Sequence, residues 1–214
     1  MPAVEGSTPR GGFWLCPKPL ILASKSQGRR VALSQTGIPF EVSPAEIDER
    51  AIERRILSEG GGADEVVSEL ARAKALKISA DNPRFFVIGA DQAASCEQRM
   101  FGKPSDLDEA ARQLAFLAGR AHRLHSAVAL ARDGIVLFEN ISHADIRMRP
   151  LERPFIDVYL ASVGEAALTS AGAYQVEGMG VHLFSAMTGD HWTILGLPLL
   201  PILDALRREG ALLG

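Results

Sequence analysis

Hydrophobic positions along this chain follow two different periods in turn. Short apolar runs that are typical of buried strands occur in three places, at 20–24, 40–43 and 85–89. Apolar residues at helical spacing predict helices at 29–36, from 63 to about 76, and at 107–117, 154–161 and 197–208. Two longer strand patterns, 124–131 and 135–146, flank Asp133-Gly134 and predict a hairpin. This alternation is typical of an α/β protein.

Composition sets limits on the class of protein. A chain of 214 residues with 47% hydrophobic residues is long enough to bury a full core. We expect a loose N-terminal extension at 1–18 and one domain at 19–214. The first residues contain no apolar run long enough for a signal sequence or a membrane span. A net charge of −3 with mixed signs disfavours binding to a nucleic-acid polymer. Cys16 and Cys96 lie far apart and lack the spacing of zinc ligands or of a disulfide framework. This pattern favours a reducing compartment, and we expect the cytoplasm.

The first candidate site lies where the strand at 20–24 gives way to a helix. Small hydroxyl residues, Ser24 and Ser26, come at this turn and are followed by Gly28 and Arg29. Free backbone N–H groups at a helix start, together with a guanidinium, suit a phosphate group. The alternative is a plain turn in which one serine caps the helix and the arginine is solvated.

A second candidate site follows the apolar run at 85–89. In an α/β sheet, ligands gather beyond the carboxyl ends of strands, so Asp91 is a candidate base or metal ligand. The alternative is a turn or cap residue. Lys103 stands on a stiff Gly-Lys-Pro loop, and Lys74 lies among small residues of a predicted helix. Both lysines are also compatible with ordinary solvated positions.

These motifs together resemble the Maf family of nucleotide pyrophosphatases. The resemblance covers about residues 19–210 and depends on the order of its motifs along the chain. They are the serine and arginine turn at 24–30, the Ala-x-Lys-Ala helix around Lys74, Gly89-Ala90-Asp91, Gly102-Lys103-Pro104, Gly119-x-x-His122, Gly172-Ala173-Tyr174 with Glu177-Gly178, and Gly196-Leu197-Pro198.

The resemblance implies a two-lobed α/β fold around a twisted mixed β-sheet flanked by helices. It also implies a cleft that hydrolyses nucleoside triphosphates to monophosphate and diphosphate with a divalent cation, Mg²⁺ or Mn²⁺. In this interpretation Asp91 is the proton acceptor and a metal ligand, with Glu49 as a second metal-side carboxylate; a plain surface acid is the alternative for Glu49. The triphosphate would be held by Ser24, Ser26, Arg29, Lys74 and Lys103.

Three positions bear on the choice of base. Gln92 and Glu177 resemble the branch of the family that acts on 7-methyl-GTP. A glutamate offers two acceptors, which match the N1–H and N2–H donors of guanine, and its charge attracts a methylated, cationic purine. Gly28 departs from both branches, since the pyrimidine-cleaving branch carries arginine there and the 7-methyl-GTP branch a tryptophan. Trp14, Phe184 and Trp192 are aromatic candidates beside the base, and none is assigned.

The histidines carry no predicted metal site. His122 and His125 lie three apart on a strand and are expected to face opposite sides of the sheet. His143 shows no ligand spacing in the sequence.

The leading hypothesis is hydrolysis of 7-methyl-GTP. We expect a small nucleotide as substrate and no association with a membrane, and a homodimer is possible. The alternatives are a pyrophosphatase for dTTP, UTP or CTP, and a nucleotide-binding regulator of cell division with little turnover.

Overall fold

A computed structural model describes residues 12–214. Its sheet has the strand order β2-β1-β3-β5-β6-β7, with β4 paired to the far part of β3. The strands are β1 (Leu20–Leu22), β2 (Phe40–Val42), β3 (Val87–Cys96), β4 (Arg99–Phe101), β5 (Ala121–Arg132), β6 (Ile135–Met148) and β7 (Phe184–Thr188). The α-helices are α1 (Gln27–Ser34), α2 (Glu49–Ser58), α3 (Ala63–Asp81), α4 (Leu107–Leu117), α5 (Arg153–Val163), α6 (His191–Ile194) and α7 (Leu199–Arg208). Short 3₁₀ segments occupy Gly164–Thr169, Ala171–Ala173 and Met179–Leu183.

The sheet is mixed, as expected. β1 pairs in parallel with β2 and β3, whereas β3, β5, β6 and β7 pair antiparallel in succession. The predicted helix at 107–117 and the hairpin are confirmed, the latter with longer strands. The prediction from sequence missed α2, β4, α6 and β7. It was also wrong about the end of β3, because the strand continues through Asp91 to Cys96.

Two separate cores cover one face of the sheet. Ile88 and Ala90 of β3 belong to the core formed with α1 and α7. Ala94 and Cys96, on the same face further along the strand, belong to the core formed with α4 and α5. Gln92 is the residue between these two pairs. A polar side chain therefore marks the boundary between two lobes, as the resemblance implied.

The long helix α3 covers the opposite face of the sheet and lies very close to it. A Cβ atom at Gly89 would stand 2.1 Å from the carbonyl oxygen of Ala71 and 2.6 Å from the nitrogen of Ala75. Glycine at this position therefore permits the helix backbone to touch β3. This contact brings the α3 side chains, Lys74 among them, next to the residues that follow Gly89.

The described part of the N-terminal segment, residues 12–18, packs on the domain. Trp14 is 3% exposed and forms a bridge with Leu212. Its ring meets that of Phe86 edge-on at 6.2 Å. This part of the predicted extension is thus not loose, because Trp14 fills the core between α7 and the sheet; residues 1–11 lie outside the described residues. No helix in residues 12–214 is long and apolar enough to span a membrane.

Candidate active site

The candidate site lies along an unpaired stretch of β3. β1 pairs with β3 only at Val87 and Ile88, and β4 pairs with it from Ala94 onward. Among the described residues, no strand pairs with residues 90–93 on the edge of β3 opposite β5. Asp91 and Gln92 come from that stretch, so their side chains border open space. The prediction that Asp91 follows the end of a strand was wrong, but it does face a cleft.

Two adjoining cavities meet at this edge. One, of about 790 Å³, contains Asp91, Glu49 and Lys74, and we call it the carboxylate chamber. The other, of about 440 Å³, contains Gly28, Glu177 and Tyr174 between the two lobes, and we call it the lobe chamber. The residues common to both are Lys25, Ser26, Arg29, Gln92 and Lys103. A ligand with two chemically different ends would therefore span both chambers past a row of cations.

The start of α1 lies at the junction of the chambers. Ser26 is the N-cap, and its Oγ accepts a hydrogen bond from the Arg29 nitrogen at 3.4 Å. Ser24 Oγ accepts from the Ser26 nitrogen at 3.2 Å and from Arg29 Nη1 at 3.1 Å. Thus the capping role is confirmed for Ser26. The first N–H groups of the helix still point out of its end toward the chambers, as an anion site requires.

Arg29 is the buried cation of the site. It is 8% exposed, and its Nε donates to the Gly196 carbonyl at 2.8 Å while Nη1 donates to the Ala90 carbonyl at 2.7 Å. Burial lowers the pKa of Arg29, with Asp91 and Glu49 acting in the opposite direction. The guanidinium therefore fixes α1 to β3 and to the loop before α7. Among the described residues Nη2 has no hydrogen-bond partner, so it is the group left for a ligand.

Lys74 joins the two candidate carboxylates. Its Nζ lies 2.6 Å from Asp91 Oδ1 and 2.9 Å from Glu49 Oε1. The Lys74 and Asp91 side chains are 9% and 14% exposed, whereas Glu49 is 53% exposed. Lys74 was predicted to bind the phosphates, whereas in the structure its ammonium group binds Asp91. It holds this carboxylate in one orientation at the edge of β3.

Lys103 stands across the cleft on its Gly-Lys-Pro loop. Burial lowers the pKa of Lys103, and the nearby charges of Arg29 and Lys74 lower it further, against the attraction of Asp91 and Glu49. Three cations thus repel one another around the junction of the chambers. A polyphosphate placed among them would relieve this repulsion.

The lobe chamber has a fixed hydrogen-bond pattern at Gln92. Its Nε2 donates to Ser126 Oγ at 2.8 Å and to the carbonyls of Thr193 and Ile194 at 3.1 Å. Because carbonyls only accept, the amide nitrogen must point at α6 and the oxygen must point away from it. No described residue donates to Gln92 Oε1, which is therefore an acceptor in the cleft. Ser126 had no predicted role, and its position directly across from Gln92 on β5 explains this contact.

Glu177 is the second acceptor of the lobe chamber, and it is exposed there. Its Oε1 would lie 3.4 Å from a Cβ placed on Gly28. Glycine thus leaves the space over the carboxylate open, where a larger side chain would fill it. Trp14, Phe184 and Trp192 do not line this chamber, but Tyr174 does.

The carboxylates fit a hard divalent cation. Asp91 and Glu49 converge on one point, which the Lys74 ammonium now occupies, and carboxylate oxygens are the ligands that Mg²⁺ and Mn²⁺ favour. A different cluster, unpredicted from the sequence, brings Asp64, His125 and His143 within 4.8 Å of one another. His143 has no ligand spacing along the sequence, but β6 places it directly opposite His125. His122 does face the other way, toward Tyr174.

The fold and the site together define an α/β protein whose cleft has two chambers. Such a cleft fits a ligand with one anionic end and one flat, polar end. The model of the Maf-like protein family matches residues 19–209, and the chain belongs to this family. It is 50% identical over 200 residues, 94% of this chain and 100% of the relative, to a 7-methyl-GTP pyrophosphatase of Rhizobium etli. It is 51% identical over 201 residues, 94% of this chain and 98% of the relative, to a nucleoside triphosphate pyrophosphatase of Rhodopseudomonas palustris. The chain also matches the solved structure of a HAM1 protein from Coxiella burnetii, at 14% identity over 60% of this chain and 72% of that protein. The TM-score is 0.38, and this likeness supports no inference.

Proposed function

We propose that this protein is a nucleoside triphosphate pyrophosphatase that hydrolyses 7-methyl-GTP to 7-methyl-GMP and diphosphate, a house-cleaning activity on nucleotides. One observation carries the proposal. A carboxylate held by buried Lys74 lies near two further cations, Arg29 and Lys103, and next to them lies a chamber with two acceptor groups, Gln92 Oε1 and Glu177. Relatives that are about half identical to this chain are named as pyrophosphatases of nucleoside triphosphates, and three of them are named 7-methyl-GTP pyrophosphatase.

The reaction requires water to attack the α-phosphorus while the bond from that phosphorus to the bridging oxygen breaks. Asp91 would orient the water and accept its proton, since Lys74 fixes one oxygen of the carboxylate and leaves the other for this task. Lys103, the Arg29 Nη2 group and the α1 N-terminus would neutralise the charge that grows on the diphosphate leaving group. Ser24 and Ser26 shape the same turn.

A divalent cation, Mg²⁺ or Mn²⁺, would be held by Asp91 and Glu49. It would supply charge neutralisation on the phosphate oxygens. Lys74 would then keep its bond to Asp91 and release Glu49. We also propose a cytoplasmic location from the cysteine pattern.

Base selection follows from the acceptors of the lobe chamber. Guanine presents two adjacent donors, N1–H and N2–H, and Gln92 Oε1 and Glu177 are the acceptors available to them. A pyrimidine would leave a carboxylate facing an acceptor. The positive charge of 7-methylguanine adds attraction to Glu177. One observation favours other nucleotides as a second candidate: Gly28 leaves unfilled space over Glu177.

The testing experiment measures diphosphate release from 7-methyl-GTP, GTP, dTTP, UTP and CTP with Mg²⁺ or Mn²⁺. We expect the highest kcat/KM with 7-methyl-GTP, and no turnover above background for Asp91→Asn. If Asp91→Asn matched the unmodified protein, the assigned mechanism would be wrong. Release from none of the nucleotides would favour the binding regulator instead.

Glu177→Gln tests base selection without touching the reacting groups. Since a correct bidentate contact is worth about 1–3 kcal/mol, the preference for 7-methyl-GTP over UTP should fall by about 5- to 150-fold. Met179→Leu, an exposed residue two positions on, is the matched control and should leave the preference unchanged. An unaltered preference in Glu177→Gln would remove Glu177 from base selection while leaving the reaction class intact.

A further inference from the structure

A cluster of metal-ligating side chains lies on the α3 face of the sheet, outside both chambers. His125 of β5 and His143 of β6 are direct cross-strand partners, and their rings meet at right angles with centroids 5.2 Å apart. Asp64, in the first turn of α3, reaches both. Its Oδ1 lies 2.9 Å from His143 Nε2 and also contacts His125 Nδ1.

The cluster is separate from the candidate active site. Asp64 precedes Lys74 by ten residues on α3, which is about 15 Å along a helix. None of the three side chains lines the cavity that contains Asp91 and Glu49. We infer that Asp64, His125 and His143 form a second metal site, which binds one divalent transition-metal ion such as Zn²⁺ and joins the start of α3 to the β5–β6 hairpin.

The ligand chemistry favours a transition metal over Mg²⁺. Two imidazoles and one carboxylate are a ligand set for Zn²⁺ and its neighbours, whereas Mg²⁺ prefers oxygen. Ligand atoms at about 2.0–2.1 Å from a tetrahedral ion lie about 3.3 Å apart. The 2.9 Å spacing between His143 and Asp64 therefore needs to open by only a few tenths of an ångström. The remaining coordination positions of the ion would lie on the exposed side of the cluster, next to His143, and water would fill them.

A supporting contact orients one ligand. His125 is 8% exposed, and its Nε2 lies 2.7 Å from Ser95 Oγ. When Nε2–H donates to this hydroxyl, the lone pair of the imidazole is on Nδ1, the atom that faces Asp64. A metal-bound histidine is usually held in this way by a hydrogen bond from its other nitrogen.

Arg123, a cation on which the charge of Asp64 acts, does not compete for this carboxylate. Arg123 is engaged by Asp145 through two bonds of 2.8 Å and 3.1 Å. The Asp64 carboxylate is thus left to the two imidazoles and to the ion that we propose.

The test is a titration of the chelator-treated full chain with Zn²⁺ and, separately, with Co²⁺, in excess Mg²⁺ to occupy the oxygen site. We expect one equivalent of Zn²⁺ by equilibrium dialysis, visible absorption bands from bound Co²⁺, and a rise in Tm with Zn²⁺. Loss of a supporting partner alone weakens metal sites by about 10–100-fold, so Ser95→Ala should fall in that range and His143→Ala should exceed about 100-fold.

Two controls separate this site from others. His182→Ala removes an exposed histidine elsewhere and should bind as the unmodified protein does. Asp91→Asn should keep the Zn²⁺ equivalent, which makes the result independent of the proposed catalytic function. No binding, or binding that His143→Ala leaves unchanged, would overturn the inference and reduce the cluster to a hydrogen-bonded clamp. Since His143 is exposed, we expect that variant to fold, and circular dichroism checks this.

Discussion

Lys74→Met tests how Asp91, the proposed catalytic carboxylate, is held. Lys74 is the buried donor between Asp91 and Glu49, and methionine retains much of the buried stem while removing the charge. The variant should still pack against β3. It would leave Asp91 without its 2.6 Å bond and close to a second carboxylate.

The size of the effect follows from the contacts. A hydrogen bond between charged groups contributes about 1.5–3 kcal/mol, and the low exposure of Lys74 and Asp91 limits screening by water. If that energy serves to orient Asp91 for the attacking water, kcat should fall by about 10- to 150-fold. KM should change much less, because Arg29 and Lys103 still face the phosphates.

The assay is steady-state diphosphate release, with Tm measured on the same samples. Lys77→Met is the matched control, since Lys77 lies three residues further along α3 in an exposed 3.3 Å pair with Asp81. We expect this control to retain kcat within about twofold, as exposed pairs contribute little. Unchanged kcat in Lys74→Met, or a loss confined to KM, would refute the role of Lys74 in holding Asp91.

Two further predictions concern stability. Gly89→Ala would force a Cβ into the α3 backbone and should lower the free energy of unfolding by at least about 1–3 kcal/mol in urea titrations, whereas Gly12→Ala, with open space around it, should not. Burial beside Tyr174 lowers the pKa of His122 from 6.5 to about 4. The unfolded chain therefore binds more protons than the folded one between these values, and stability should fall by about 3 kcal/mol as the pH drops from above 6.5 to about 4. His122→Gln should show a smaller loss over the same range, and an equal loss would assign it to other groups.

Local signals explain which elements could be predicted from the sequence. Helix α4 was predicted with its observed bounds from its apolar spacing and from Gly119, which follows it with a φ of +73°. The structure adds a cap at Asp106, which accepts from the Glu109 nitrogen at 2.7 Å. Helix α2 carried similar signals that were not used, with Asp48 as its cap and apolar residues at Ile52 and Ile56. Its first residue, Glu49, was therefore predicted as a metal-side carboxylate, or a surface acid, that follows a strand. The helix that aims this side chain at Lys74 was not foreseen.

The features that could not be predicted depend on pairing between distant strands. Asp91 and Gln92 look like the polar end of a strand, but nine residues of β5 pair with β3 and carry it beyond them. In the same way, the β5–β6 register brings His143 to His125 although eighteen positions of sequence separate them. Spacing along one chain segment holds no information about such partners, because the register is set by the whole hairpin.

The unpaired stretch of β3 accounts for the position of the site. Successive residues of a strand face opposite sides, so Asp91 reaches Lys74 on the α3 side while Gln92 reaches Ser126 and α6 between the lobes. In the interior of a sheet these two side chains would be separated by the sheet itself. Because β1 ends before them and β4 begins after them, both reach the same open edge. One short gap in strand pairing thereby puts adjacent residues where, in the proposed function, they would serve two ends of one ligand, the phosphates and the base.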